Sequence, residues 1–282
     1  MTTPLNERVD VVAPVIPDVA SGVSRLHLRI AETLTAVNPL LRRRNRYYLR
    51  ANPPDLPVPP AALLMRVAGS PNVRWFLEGG RLALTSITDA LDRQGVAAGN
   101  LDTVLDFGCG CGRVVRHWPG VSGATMSGVD YNPELIGWCR KNLPFGAFQV
   151  NQLAPPLAFG DASFDLVYAL SVFTHLPEAL QNAWLDELAR VLRPGGHLLL
   201  TLHGEHYRPE LTDAERAVFD ADDLVVRHAI VAGTNRCTTF HPPAYVQQQM
   251  QRGLTLVEYL PEGAAGNPFQ DLVLFHKDYV RL

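Results

Sequence analysis

Three glycines alternate with two cysteines in GCGCG, Gly108 to Gly112, between the apolar run VLDF and the basic segment RVVRHW. Glycine tolerates positive φ and carries no Cβ, so such a bend lets a ligand lie against the main chain. Asp130 ends the next apolar run, ATMSGVD, 22 positions beyond Gly108. A carboxylate there can accept hydrogen bonds from both hydroxyls of a ribose, which points to a nucleoside ligand. The third glycine falls one place early for the dinucleotide spacing GxGxxG, so a pyrophosphate cradle is disfavoured. Arg113 reads as the first turn of a following helix, where the dipole disfavours a cation unless an anion is close. A ligand carboxylate and plain solvent exposure both satisfy that position, and a glycine turn without a ligand stays open for the loop taken alone.

A second set of residues suits proton transfer. Histidine is the side chain whose ordinary pKa lies nearest neutrality, and three compete: His203 directly after an apolar strand candidate, His241 in TTFHPP, and His175 in SVFTHLPE. His203 is preferred as a general base, then His241, with Glu205 outside them. The bland reading for each is a histidine at a strand or helix end. Gln270 and Asp271 open the last apolar run, where turn capping is favoured over contact with an acceptor.

Alternating strands and helices must position these residues. TVLDF, ATMSGVD, FDLVYAL and HLLLTLH are strand candidates; NPELIGWCRKN and PEALQNAWLDELARVL have helical spacing. That succession of βα units predicts a parallel sheet covered on both faces. LTLVEYL and DLVLFHK, with no helix between them, predict an antiparallel hairpin. RLALTSITDALDRQG predicts a helix closed by Gly95, and the segment before it a helical extension ending in the Pro-rich connector NPPDLPVPP. The boundaries read are 1–80 for extension and linker and 81–282 for the main domain, with 204–243 inserted as a lid.

Composition bounds the rest. The 282 residues are 47% hydrophobic and 19% charged with net charge -3, which suits an ordinary soluble globule and gives no global field for nucleic acid or an anionic membrane. RRRNRYYLR, with Arg42, Arg43, Arg44 and Arg46 beside Tyr47 and Tyr48, reads as a solvated helix face rather than an RNA site. Cys109, Cys111, Cys139 and Cys237 fit neither a paired zinc site nor a disulfide framework, so no metal is expected. The chain shows no leader and no membrane-length run, so a cytoplasmic protein is expected.

VLDFGCGCGR, GVDYNPELIGWCRKN, LAFGDASFDLVYALSVFTHLPE and LARVLRPGGHLLLT resemble, in order and spacing, the successive motifs of class I S-adenosylmethionine-dependent methyltransferases. More narrowly, GCGCGR, SVFTHLPE and QDLVLF are similar to a bacterial group that often methylates sugars, small metabolites or natural products. The resemblance implies a Rossmann-like α/β fold: a seven-stranded, mostly parallel sheet with a C-terminal antiparallel hairpin. It implies S-adenosyl-L-methionine as cofactor and a small-molecule or sugar acceptor; methylation of an oxygen is expected, with a nitrogen as the less favoured alternative. By resemblance Asp106, Gly108, Gly110 and Gly112 pass under the methionine part, Asp130 holds the ribose and Tyr131 lies along the adenine. VNQLAPPL stands where relatives often carry an acid, leaving Asn151, Gln152 or Leu153 to hold adenine; Ser171 and His175 face the reaction centre. A nicotinamide-dependent oxidoreductase and a non-catalytic cofactor-binding scaffold remain as alternatives.

Overall fold

The computed structural model describes residues 38–279; the expected helical segment before Asn38 lies outside them. Helices α1 (Pro39–Ala51), α2 (Ala61–Ala68) and α3 (Val73–Arg93) precede strands β1 (Thr103–Phe107) and β2 (Thr125–Asp130). Helix α4 (Pro133–Asn142), strands β3 (Gly146–Val150) and β4 (Phe164–Ala169), helix α5 (Glu178–Val191) and strand β5 (Leu192–Leu202) continue the alternation. Helix α6 (Asp213–Phe219), strands β6 (Val225–Arg227) and β7 (Thr238–Phe240) and helix α7 (Pro243–Gln249) lead to strands β8 (Thr255–Leu260) and β9 (Asp271–His276).

The main sheet has seven strands in the order β3-β2-β1-β4-β5-β9-β8. Strands β1 to β5 run parallel; β9 is antiparallel to both β5 and β8, which gives the expected hairpin its place at one edge. Strand β1 pairs with β2 on one side and β4 on the other, so the chain reverses its direction of winding there. At such a switch point the loops after the strands diverge and leave a crevice. The glycine loop follows β1 directly.

Period-two alternation puts both faces of these strands in apolar surroundings. Leu105, Val167, Leu198 and Leu200 pack with Trp184, Leu185 and Leu188 of α5. Val104, Leu166, Tyr168 and Leu199 pack with Leu84, Ile87 and Leu91 of α3 and with Trp118. Burial on both sides explains why the strands read as continuous apolar runs.

Two expectations about helices are corrected. The glycine loop runs into turns and a 3-10 segment, Val115–Gly120, rather than an α-helix. Pro119 interrupts it, and α3 takes the adjacent space: an ideal Cβ on Gly80 would lie 2.0 Å from the Arg113 carbonyl oxygen. Helix α3 itself begins at Val73, eight residues before the stretch read as helical, and Gly79 and Gly80 lie inside it. The boundary drawn at 80/81 therefore cuts a continuous helix. Gly80 is there for close backbone approach, not as a break.

The inserted stretch 204–243 is a folded subdomain. Strands β6 and β7 pair in their own small sheet, and a single bridge from His203 to Phe240 ties it to the end of β5. Arg42, Arg43, Arg44 and Arg46 lie exposed on α1. Among the described residues no helix is long and apolar enough to cross a membrane.

Candidate active site

Asp130 is 9% exposed at the tip of β2. Its Oδ2 accepts the Gly110 N–H at 2.9 Å and its Oδ1 the Asn132 N–H at 2.8 Å. Gly108 N and Cys109 N both donate to the Val129 carbonyl, at 2.8 and 2.9 Å, so the loop is pinned to the strand that carries the acid. The three glycines have φ of +78°, +56° and +79°, the left-handed region that glycine occupies without steric cost. Burial pushes the Asp130 carboxyl up, and the two N–H donors pull it back. Each oxygen keeps acceptor capacity beyond its one backbone partner, so the pair of acceptors has the capacity for two hydroxyl donors such as those of a ribose.

The loop is roofed by two segments distant in sequence. An ideal Cβ on Gly108 would lie 2.3 Å from Val172 Cγ2, and one on Gly110 2.7 Å from Val67 Cγ2 of α2. Gly233 of the insertion backs against Leu153 and Tyr131, with its N–H donated to the His175 carbonyl at 2.8 Å. Asn235 donates to the Arg66 carbonyl at 3.0 Å, joining the two roofs, and Arg66 pairs with Glu134 on α4.

The remaining cofactor residues divide. Tyr131 and Leu153 are exposed, and both stand close to Gly233. Asn151 turns its amide onto the Gln152 carbonyl at 2.7 Å, and the Leu153 carbonyl accepts Trp184 Nε1 at 2.9 Å, so these polar groups brace the β3 end. Asp106 is corrected: it is 4% exposed beneath the loop, hydrogen-bonded by the Tyr168 hydroxyl and the Val115 N–H. Burial pushes its carboxyl up to about 7, against the pull of Tyr168 and Arg113. Arg113 is corrected too: its Nη1 donates to the Gly266 carbonyl at 2.9 Å and its Nη2 to Asn267 Oδ1. It holds the turn between β8 and β9 to the glycine loop, because the missing α-helix leaves its side chain pointing into the sheet edge.

Beyond the loop a polar network gathers at the ends of β4, β5 and β9. Ser171, at φ +58°, donates its N–H to Thr201 Oγ1 at 2.8 Å. Thr201 donates its hydroxyl to Gln270 Oε1 at 2.7 Å, and Gln270 Nε2 donates to Ser171 Oγ at 2.9 Å. The same Nε2 lies 3.3 Å from His203 Nε2. Thr201 has no signal in the sequence, being one letter inside an apolar strand. Asp271 is a turn cap: it accepts the Tyr259 hydroxyl and the Glu262 N–H, and an ideal Cβ on Gly204 would meet its Oδ2.

The three histidines differ in what their nitrogens do. In His241, fully buried, Nε2 meets Gln181 Oε1 at 3.1 Å while Nδ1 is sealed without a partner. His203 has Nε2 against Gln270 and Nδ1 sealed. Burial lowers both to about 3. Packing encloses the His241 ring, whereas His203 is half-buried at the rim of the Ser171-Gln270-Thr201 network. His175 donates through Nδ1 to the Cys237 carbonyl at 2.7 Å, and its Nε2 is neither bonded nor sealed. Glu205 is exposed, 3.8 Å from Arg208.

Residues 105–200 match a family described as a methyltransferase domain. Over 116 residues the chain is 35% identical to a malonyl-[acyl-carrier protein] O-methyltransferase of Enterobacter lignolyticus, a stretch covering 41% of this chain and 44% of that protein. Over 114 residues it is 32% identical to an O-methyltransferase of Penicillium expansum, covering 38% and 40%. The matched stretch spans less than half the length of these curated relatives. In fold the chain is similar to the CcbJ methyltransferase of Streptomyces caelestis, with TM-score 0.52 and 17% identity over 70% of this chain and 94% of that one. The ordered motifs, the strand order 3-2-1-4-5-9-8 and an acid seated at the β2 tip agree with the family match; the acid is shared with nicotinamide sites, and it is the match to methyltransferases that speaks against that alternative. Residues 105–200 belong to the family described as a methyltransferase domain, carried on the fold of solved methyltransferases.

Proposed function

We propose that the chain transfers a methyl group from S-adenosylmethionine to an oxygen of a small molecule or sugar. The observation that carries this is the Asp130 carboxylate, buried, fastened to the Gly110 N–H and still able to accept two hydroxyls. The printed names of the Enterobacter and Penicillium relatives, both O-methyltransferases, favour oxygen.

When bound, the cofactor supplies an electrophilic methyl group on a sulfonium, open to in-line displacement. Asp130 holds the ribose. Tyr131 and Leu153, under Gly233, enclose the adenine and keep water from it. Gly108 and Gly110 keep the main chain low enough for the methionine end, with Val67 and Val172 shifting to admit it. The network Ser171-Gln270-Thr201 presents a fixed hydroxyl toward the acceptor side. His175 takes the acceptor's proton at Nε2, the ring being oriented by the Cys237 carbonyl. Alignment supplies much of the rate for such a transfer, and a placed base adds about 10²–10⁴ for an alcohol.

The test is calorimetry with S-adenosylmethionine, then transfer of a labelled methyl group across a panel of sugars, phenols and carboxylic acids. No binding by the pure protein sinks the reading. Binding without transfer to any acceptor favours a scaffold instead.

A further inference from the structure

Aromatic rings form a row beyond the end of β5, beside the Ser171-Gln270-Thr201 network. The centre of the His203 ring lies 6.5 Å from that of His175 and 4.4 Å from that of Tyr207. Tyr207 continues at 5.4 Å to His206, which stacks on Phe269 at 4.2 Å with the ring planes 9° apart. Phe240 flanks the row, 5.7 Å from His203 and 6.2 Å from Tyr207. Phe269 directly precedes Gln270, whose amide nitrogen meets both Ser171 and His203.

Phe269 is held there at a cost. It is 42% exposed, and its φ is +65°, a left-handed conformation rare for a bulky side chain. Ser171, across the Gln270 link, is left-handed too, at +58°. An exposed apolar ring on strained backbone, next to a polar network, points to a ligand-holding position. The polar atoms of the row are already engaged: the Tyr207 hydroxyl on the Pro268 carbonyl at 3.4 Å, His203 Nε2 on Gln270, and His206 Nδ1 on Glu262 at 3.2 Å. The charge around it is negative. Burial, then Glu210, Asp271 and Glu262, push the Tyr207 hydroxyl up to about 12, and Glu205 is exposed on the same segment. Arg208 follows Tyr207 but pairs with Asp220 at 2.6 Å; Arg227 lies 5.0 Å from the centre of the Phe240 ring but pairs with Glu215 at 2.7 Å.

Resting on the methyl-transfer reading above, we propose that this row seats the acceptor, and that the acceptor is an uncharged phenol whose flat body extends beyond one ring. The body lies against the open face of Phe269, and the hydroxyl is directed toward Ser171 and His175. Ring faces supply stacking and apolar area but few hydrogen bonds, so a sugar would leave hydroxyls unpaired there. A carboxylate would meet the charges of Glu205, Glu210 and Glu262. The succession of rings from His175 to Phe269 makes a wall longer than a single benzene ring. Phe269 is thus a specificity-determining residue.

The test is isothermal titration of the full chain, saturated with S-adenosylhomocysteine, with 2-naphthol, 6-hydroxy-2-naphthoate and methyl glucoside. 2-Naphthol is expected to bind saturably at one site, about tenfold or more tightly than either other probe. Phe269→Ala is expected to weaken it about tenfold with S-adenosylhomocysteine affinity unchanged, and Phe269→Trp to retain it. Phe269→Gly, which suits the positive φ, is expected to weaken 2-naphthol as Ala does without lowering Tm, which separates loss of the ring from loss of the fold. The inference is overturned if 2-naphthol does not saturate, if hydroxynaphthoate or the glucoside binds as tightly, or if Phe269→Ala leaves the affinity unchanged. S-adenosylhomocysteine binding together with methylation of a sugar or carboxylate alone would overturn this inference and leave the methyl-transfer reading standing; no S-adenosylhomocysteine binding would strike both.

Discussion

Gln270 Nε2 sits 3.3 Å from His203 Nε2 while Gln270 Oε1 accepts the Thr201 hydroxyl at 2.7 Å. Because the oxygen end of the amide is taken, the nitrogen end faces the imidazole. His203 Nε2 must then be the unprotonated acceptor, with the proton on Nδ1. A ring held in that tautomer and lowered to about 3 by burial should show no titration between pH 8 and pH 5 in side-chain NMR. Gln270→Glu places a carboxylate beside it and should raise its pKa by about 1–3 units. A wild-type His203 that titrates near pH 6.5 contradicts the arrangement.

His175→Ala should lower kcat for an alcohol acceptor by about 10²–10⁴ with cofactor affinity unchanged. Burial lowers the His175 pKa, so the base is already neutral at pH 7. The rate should be flat through neutrality and fall only in acid, below the ordinary histidine range. Steady-state kinetics against pH, with calorimetry of cofactor binding, separates this from a structural role. An equal loss in His203→Ala with none in His175→Ala would reverse the assignment.

Asp130→Ala removes two acceptors for a diol and leaves the Gly110 and Asn132 N–H groups without their partner. Cofactor affinity should fall by about 10²-fold or more, and stability by about 1–3 kcal/mol, measured by calorimetry and urea unfolding. Asp130→Asn should retain more stability than affinity, since its amide oxygen can serve only one of those N–H groups. Wild-type affinity in Asp130→Ala would end the ribose assignment.

His197 and His241 are buried and His203 half-buried, and loss of hydration keeps all three neutral, lowered to about 4, 3 and 3. Each folded pKa lies below the unfolded value of about 6.5, so the unfolded chain takes up protons first as pH falls. Stability should therefore decline from pH 6.5 down toward those folded values, at about 1.4 kcal/mol per pH unit for each proton. His241→Gln, which keeps a donor for Gln181 Oε1, should reduce that slope by about one proton while activity changes little. An unchanged slope in unfolding at pH 6.5, 5.5 and 4.5 would show that His241 is protonated in the folded state.

Much of the fold is legible because it depends on local pattern. Apolar runs such as FDLVYAL and HLLLTLH lie in strands buried on both faces, and the run of two strands with no helix between them is the antiparallel pair β8 and β9. The start of α3 at Val73 was not legible because the reason two glycines sit inside it lies outside the local pattern: the Arg113 carbonyl, 33 positions on, approaches Gly80. Arg113 misleads likewise, since its partners Gly266 and Asn267 lie at the far end of the chain. The histidines show the limit most clearly. Three equivalent letters become one enclosed ring, His241, and two half-buried ones, His203 and His175, with different partners only when Gln181, Gln270 and the Cys237 carbonyl arrive beside them.

What the residues determined by themselves is the order of βα units, the glycine bend after β1 and the acid at the β2 tip, since period, turn chemistry and spacing are properties of neighbouring positions. What only the tertiary structure decided is access. Val67 from α2 and Val172 close over the loop, Gly233 of the insertion packs against Tyr131 and Leu153, and Arg116 is buried against the Phe76 ring. Burial and desolvation depend on which distant segments pack together, and that is set by the whole core at once.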